Sequence, residues 1–380
     1  MRLPRPAATL ARLAARAALA LTGAALGLLL AEAVARVRTP AAGANLLYGA
    51  PQAVPASFFD WDPTLGPVPA PGQRTRVQTI DYDITLRTNA LGLRGPPTTG
   101  HPALLVLGDS VVLALQVDEA DTLSSRLGAA TGLQPLNAGA DGTGTWAQAH
   151  RLRRLRPSLP PLAHIVLVFF TGNDFSDNAR WLADGGPQGR LRPPPPNPGA
   201  LGPLRAGGPR GWLARHSALY ALFTVAARRA ALQQRPPNPQ DPHARELLPF
   251  AAGGPDEATP AAEAARAPLR LLAAEAAAAR APLTVAIAPP LFAIDPAEAQ
   301  GLFALYGLAG RPLALDAPAA ALRRVLAAEG IAACDLGPAL RARHAAGERP
   351  YFRYDGHWNA VGHAVAAEAL VGCGVGRPGG

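Results

Sequence analysis

LLVLGDSVVL, residues 104–113, carries four apolar residues into Gly108-Asp109-Ser110 before the aliphatics resume. A short apolar run without polar alternation fits a strand buried on both faces, and Gly, Asp and Ser are turn and helix-capping residues. Ser110 is thus either a turn residue or a side chain displayed at a strand end. Outward from this strand, Ala103–Leu107, further apolar runs occur at Gln134–Asn137, Ile165–Phe170, Leu283–Ala288 and Ile331–Leu336. Helical patterns lie between them, among them Leu123, Leu127 and Ala130, and the alanine-rich Ala261–Arg280, bounded or kinked at Pro268. Short apolar strands separated by helices predict a parallel sheet covered on both faces. Ligands of such sheets bind beyond the carboxyl ends of the strands, where Ser110 falls.

At 380 residues and 49% hydrophobic, the chain is long enough for one large domain with additions. The net charge of +9 raises the question of nucleic acid, but all 36 basic residues are arginine and none form a run interleaved with aromatics. With Ala, Pro and Gly also abundant, this is compositional bias rather than a phosphate-binding face, and no nucleic-acid partner is expected.

Residues 1–40 form a membrane anchor or signal segment: Arg2, Arg5, Arg12 and Arg16 precede the uncharged stretch Ala17–Ala31. The stretch reaches a spanning length with Arg16 and Glu32 at the two interfaces, and the arginines would hold its N-terminal side in the cytoplasm. Ala31-Glu32-Ala33 and Ala33-Val34-Ala35 also resemble cleavage sites for small residues. Either way the bulk of the chain is exported, with the main domain expected in the periplasm. An oxidising compartment permits a bridge between Cys334 and Cys373, with two separate apolar thiols as the alternative. Residues 41–100 read as a linker followed by one or two short strands, from the period-two alternation around Val77–Ile84, and a turn over Asn89–Gly95. Residues 101–376 form the main domain. It is interrupted at about 181–260 by two proline clusters, RPPPPNP and RPPNPQDP, flanking a helix from Trp212 to about Ala231. That insertion is either a loose spacer or a lid or docking arm.

Three more segments reach the same rim as Ser110. The second strand leads into NAGADGTGTWAQ with Asn137, Gly139 and Gly142, the third into FFTGNDFSDN with Gly172, Asn173 and Asp174, and a late loop RYDGHWNAVGH carries Asp355 and His357. In this order the four blocks resemble those of the SGNH hydrolases, also called GDSL esterases and lipases. The resemblance covers about Pro102–Gly372 apart from the insertion, and TNALGLRG (88–95) is similar to the lead-in of exported bacterial members. The resemblance implies a flavodoxin-like three-layer α/β/α sandwich with a central parallel sheet of about five strands. It also implies a serine esterase acting on O-acyl esters, short-chain and carbohydrate-linked, with no cofactor and no metal.

By the same resemblance, Ser110 is the nucleophile, His357 its base and Asp355 the carboxylate that orients His357. The oxyanion donors are the backbone N–H of Ser110, the backbone N–H of Gly142 and the Asn173 amide. The chain departs from the usual D-x-x-H, since only Gly356 separates Asp355 from His357; this D-x-H form resembles exported polysaccharide O-acetyltransferases of the same superfamily. Asp174 is the alternative orienting carboxylate, and Asp109 a turn or helix-cap acid with a further catalytic role open. The expected partners are a small-molecule or glycan O-acyl ester and the inner membrane. Acyl transfer to a sugar hydroxyl and a non-catalytic glycan- or protein-binding role stand as alternatives. Trp358 either walls the pocket, where it would meet a sugar ring, or packs in the core. His357 and His363, six residues apart, lack the i, i+4 spacing of helical metal ligands.

Overall fold

The computed structural model describes residues 6–37, 54–193, 208–234, 241–253 and 256–377. Most of the expected linker before residue 54 and most of both proline clusters lie outside these residues.

The lead-in forms two antiparallel hairpins rather than one or two strands. β1 (Phe59–Asp62) pairs with β2 (Gly66–Pro69), and β3 (Arg74–Gln78) with β4 (Asp83–Arg87). The inward residues Val77, Tyr82, Ile84 and Leu86 pack with Leu113 and Leu115, so the second hairpin is seated on the main domain beside the Gly-Asp-Ser turn.

The main sheet has five parallel strands: β5 (Ala103–Gly108), β6 (Gln134–Gly139), β7 (Leu162–Phe170), β8 (Leu283–Ala288) and β9 (Ala332–Asp335). Their spatial order is β6-β5-β7-β8-β9. Alternation along β5 divides the core: Leu105 and Leu107 face one layer, Leu104 and Val106 the other. The first layer is built from helices Thr145–Leu155, Arg266–Ala278 and Ala317–Ala328, through Leu152, Leu269, Leu272, Leu322 and Leu326. The second is built from Leu123–Thr131, Gly337–Ala345 and Ala360–Gly372, through Leu127, Leu340, Val365 and Leu370. This is a three-layer α/β/α sandwich. Because the chain leaves β5 for β6 on one side and then crosses to β7 on the other, the crevice opens at the end of β5, where Ser110 begins the next helix.

The expected kinked helix over Ala261–Arg280 is two helices, Ala258–Ala264 and Arg266–Ala278; the break falls at Ala265, and Pro268 sits in the first turn of the second, where its missing N–H costs nothing. The insertion helix divides at Ser217 into Gly208–His216 and Ala218–Gln233, and a further short helix follows at Pro242–Leu247. These helices share a core of their own: Ala221, Val225, Leu247 and Phe250 pack with Phe292, Phe303 and Tyr354. The insertion is therefore docked on the domain rather than a loose spacer. Cys334 in β9 and Cys373 after the last helix form a disulfide, with Cα atoms 6.0 Å apart. The N-terminal helix runs Pro6–Val37, and its segment Leu10–Val37 has the length and mean hydropathy (1.9) of a membrane span.

Candidate active site

Gly108 ends β5 where a side chain would collide with Val112 and approach the Val168 carbonyl, so the chain can turn tightly into the helix Ser110–Leu113. Asp109 caps that helix by accepting from the Val111 N–H at 2.9 Å. From the lead-in, the buried Arg94 guanidinium donates to the carbonyls of Leu113 (2.8 Å), Ala114 and Val117, tying down the far end of the turn. The Asn137 amide donates to the Val112 carbonyl at 2.7 Å. Ser110 is thus fixed by neighbours on three sides before any catalytic partner is considered.

The late loop closes on itself: the Phe352 N–H donates to the His357 carbonyl at 2.9 Å, and the Tyr351 hydroxyl to the Pro289 carbonyl at 2.6 Å. Gly356 has φ +83°, a left-handed conformation disfavoured for other residues. That turn lets Asp355 and His357 meet across a single residue, which is how the short spacing works. His357 Nδ1 contacts Asp355 Oδ1 closely, and His357 Nε2 lies 2.9 Å from Ser110 Oγ. Asp355 Oδ1 also accepts the His357 N–H at 3.2 Å, while Oδ2 accepts the Tyr82 hydroxyl at 3.0 Å. Beside it, Asp81 accepts the Tyr354 N–H at 2.9 Å.

Asp174, the alternative orienting carboxylate, instead accepts the Phe170 N–H at 2.8 Å at the start of its helix. Asn173 and Gly142 line the same cavity as Ser110 and His357. Gly142 has φ +63°, and its N–H interacts with the Asp141 carboxylate, which it would have to leave to serve an oxyanion. The Asn173 side-chain oxygen is buried without a protein partner. Asp177 pairs with Arg180, and the Asn178 oxygen accepts the Trp146 N–H at 3.0 Å. Trp358 is in the core at 1% exposure, edge-on to His363, and contributes nothing to the cavity wall. His164 bonds Thr284 at 2.9 Å, His150 lies against Trp181, and His216 lends its carbonyl to Arg36. Among the described residues no group of three or more His, Cys, Asp or Glu is arranged to hold a metal ion.

The electrostatics are dominated by carboxylates. Burial works against a charged His357, but Asp355, with Asp109 and Asp141 behind it, overrides burial and holds the imidazole up at about 9. Burial raises Asp109 to about 6 and Asp177 to about 7, and drives Asp174 well above the carboxylate range with Asp109 and Asp177 adding to it. The cavity encloses about 320 Å³; opposite the triad-like trio its wall is Leu247, Phe292 and Leu302, with His243 and Glu246 at the edge. A hydroxyl hydrogen-bonded to an imidazole, itself braced by a carboxylate, beside an apolar-walled cavity can attack and hold an acyl group.

Residues 255–372 match the family described as SGNH hydrolase-like domain, acetyltransferase AlgX. That stretch holds Asp355 and His357, and its similarity is to an SGNH hydrolase-like domain. Solved structures similar to it include a member of the lipolytic protein G-D-S-L family from Veillonella parvula DSM 2008, at 14% identity and TM-score 0.38 over 71% of this chain and 96% of that one. Phospholipase A1 from Streptomyces albidoflavus NA297 aligns at 13% identity and TM-score 0.36 over 72% and 99% of the two chains. An extracellular lipase from Streptomyces rimosus aligns at 14% and 0.36 over the same shares. No protein of curated function matches the sequence.

The site includes residues with no local mark in the sequence. Tyr82 and Asp81 sit in a segment legible only as alternating strand, and Asp141 in a segment legible only as a glycine-rich turn. Nothing local marks Tyr82 as a partner of a residue 273 positions away.

Proposed function

We propose that this SGNH protein is a serine esterase that cleaves O-acyl esters, short-chain and carbohydrate-linked, through an acyl-serine intermediate. The observation that carries the reading is the continuous contact from Ser110 through His357 to Asp355 at the mouth of one cavity. In this mechanism His357 Nε2 takes the Ser110 proton as Oγ attacks the ester carbonyl, then returns it to the departing alcohol oxygen. Asp355 holds the imidazole by Nδ1 and offsets its charge, and Tyr82 keeps Asp355 in place. Asn173, the Ser110 N–H and the Gly142 N–H receive the negative charge that develops on the carbonyl oxygen. Water then enters and its oxygen attacks the acyl carbon as His357 takes its proton; the bond to Ser110 Oγ breaks, His357 returns the proton to Oγ, and the acid leaves.

Capture of the acyl group by a sugar hydroxyl is the second reading. It is favoured by the description of the matched family as an acetyltransferase and by the D-x-H spacing. The helix Leu10–Val37 would tether the enzyme to the inner membrane with the domain on the periplasmic side, a placement supported by the four N-terminal arginines and the disulfide.

A fluorophosphonate probe on the detergent-solubilised full chain tests the reading. One adduct on Ser110, absent in Ser110→Ala and sharply reduced in His357→Ala, is expected; an unlabelled, folded protein would turn the reading to a non-catalytic binding module. With an activated acetyl ester as donor, transfer to added oligosaccharide in preference to water would favour the second reading.

A further inference from the structure

The last turns of the N-terminal helix are built into the domain. Glu32 accepts from Ser217 Oγ at 2.8 Å, from the Ala218 N–H at 2.8 Å and from the Leu219 N–H at 3.0 Å, so a carboxylate from one segment caps the helix Ala218–Gln233 of another. Arg36 donates to the His216 carbonyl at 2.6 Å, and its own carbonyl accepts from Arg353, two residues before Asp355. Ala35 is buried, whereas every residue from Leu10 to Leu30 is exposed. From Ala31 one side of the helix is covered, with Ala31, Glu32 and Ala35 shielded, while Ala33, Val34, Arg36 and Val37 on the rest of the helix stay exposed.

Both long insertion helices meet this boundary. Gly208–His216 ends at it and Ala218–Gln233 begins at it. Trp212, one turn before His216, is 58% exposed, and Phe223, one turn past Leu219, is 69% exposed. A helical turn rises about 5.4 Å, so each aromatic lies about 6 Å along its helix from a residue bonded to Glu32 or Arg36. Each therefore lies within about one turn of the contact that marks where the span leaves the hydrocarbon for the headgroup layer. Tryptophan concentrates in this layer because its ring is apolar and its N–H polar, and Arg210 and Arg215 flank Trp212 on the same helix.

We propose that the helices Gly208–His216 and Ala218–Gln233 rest on the bilayer, with Trp212 and Phe223 inserted at the boundary between headgroups and acyl chains. This rests on the reading of Leu10–Val37 as a retained anchor. The partner is the lipid surface itself, reached by direct continuation from the span. The catalytic loop, joined to the span's last turn through Arg353, is then held at a fixed height above the membrane.

The test uses the full chain in nanodiscs of phosphatidylcholine and phosphatidylglycerol, with and without lipid brominated near the headgroup, and reads tryptophan emission. Bromolipid is expected to quench the wild type, and Trp212→Phe to lose at least half of that quenching. Adding Phe223→Trp to Trp212→Phe is expected to restore it. Equal quenching in the wild type and Trp212→Phe, with none gained by Phe223→Trp, overturns the proposal and assigns the patch to a protein partner. Intact mass of the purified chain separates this from the underlying reading: a product lacking the residues before Ala31 overturns the anchor itself.

Discussion

Asp355 is held from three directions: by the His357 ring, by the His357 backbone and by the Tyr82 hydroxyl. Its charge keeps the imidazole protonated up to about 9, so His357 is free to act as a base only as pH approaches that value. The rate constant kcat/KM for an O-acyl ester is therefore expected to climb with pH through an inflection near 9 and to level off above it. Asp355→Asn should lower both the inflection and the rate, the latter by about 10⁴-fold. Stability follows the opposite course. Because the folded value lies above the usual 6.5, the stabilisation from this ion pair is complete below about 6.5 and is lost as pH rises through 9, which thermal melts across pH would register. At Asn173, whose side-chain amide bonds Asp109 and lines the cavity beside Ser110, replacement by Ala should cut kcat by about 10²–10³-fold and leave the fold intact by circular dichroism. An unchanged kcat would remove Asn173 from the oxyanion donors.

The hairpin β3–β4 reaches the site through the Tyr82 hydroxyl on Asp355 and the Asp81 carboxylate on the Tyr354 N–H. Tyr82→Phe would leave Asp355 Oδ2 buried and unpaired, a cost of about 1–3 kcal/mol, and is expected to lower kcat roughly tenfold with KM within about twofold. Equal losses in kcat and in the unfolding midpoint of a Ser110→Ala background would reduce Tyr82 to a packing residue. The same hairpin shows where the sequence is legible. Strands β5, β7 and β8 announced themselves because both faces are buried, and uninterrupted apolar runs result, whereas the edge strand β9 has Ala332 and Ala333 exposed. Ser110, Asn173, Asp355 and His357 were readable because each follows a strand or enters a helix with turn residues around it. Tyr82, Asp141 and Arg94 were not, because their partners lie far along the chain and local alternation encodes only which face is buried. The insertion was unreadable for a related reason: its core with Phe292 and Phe303 draws on distant segments, and proline-rich edges conceal that docking.

For the whole molecule, the Cys334–Cys373 bridge fastens the last helix to the edge strand of the sheet across a sequence separation of 39. In the chain-entropy account a loop of this size contributes about 4 kcal/mol. Replacing both cysteines by Ser, or reducing the bridge, is expected to lower the unfolding free energy by up to that amount in denaturant titrations, while Ser110 labelling by the probe persists below the new midpoint. Loss of labelling well before unfolding would mean that the bridge also holds the Asp355–His357 loop.

The separation of Ser110 from His357 by 247 residues sets an order of events in biosynthesis. A chain made from its N-terminus presents the hydroxyl early and the imidazole almost last, an interval on the order of tens of seconds at ~5–20 residues per second. Until then Ser110 has no base, and a nascent molecule meeting ester-bearing material is chemically silent. On the proposed reading the new chain is latent in this way, and becomes competent only once residue 357 has been made and folded against Ser110.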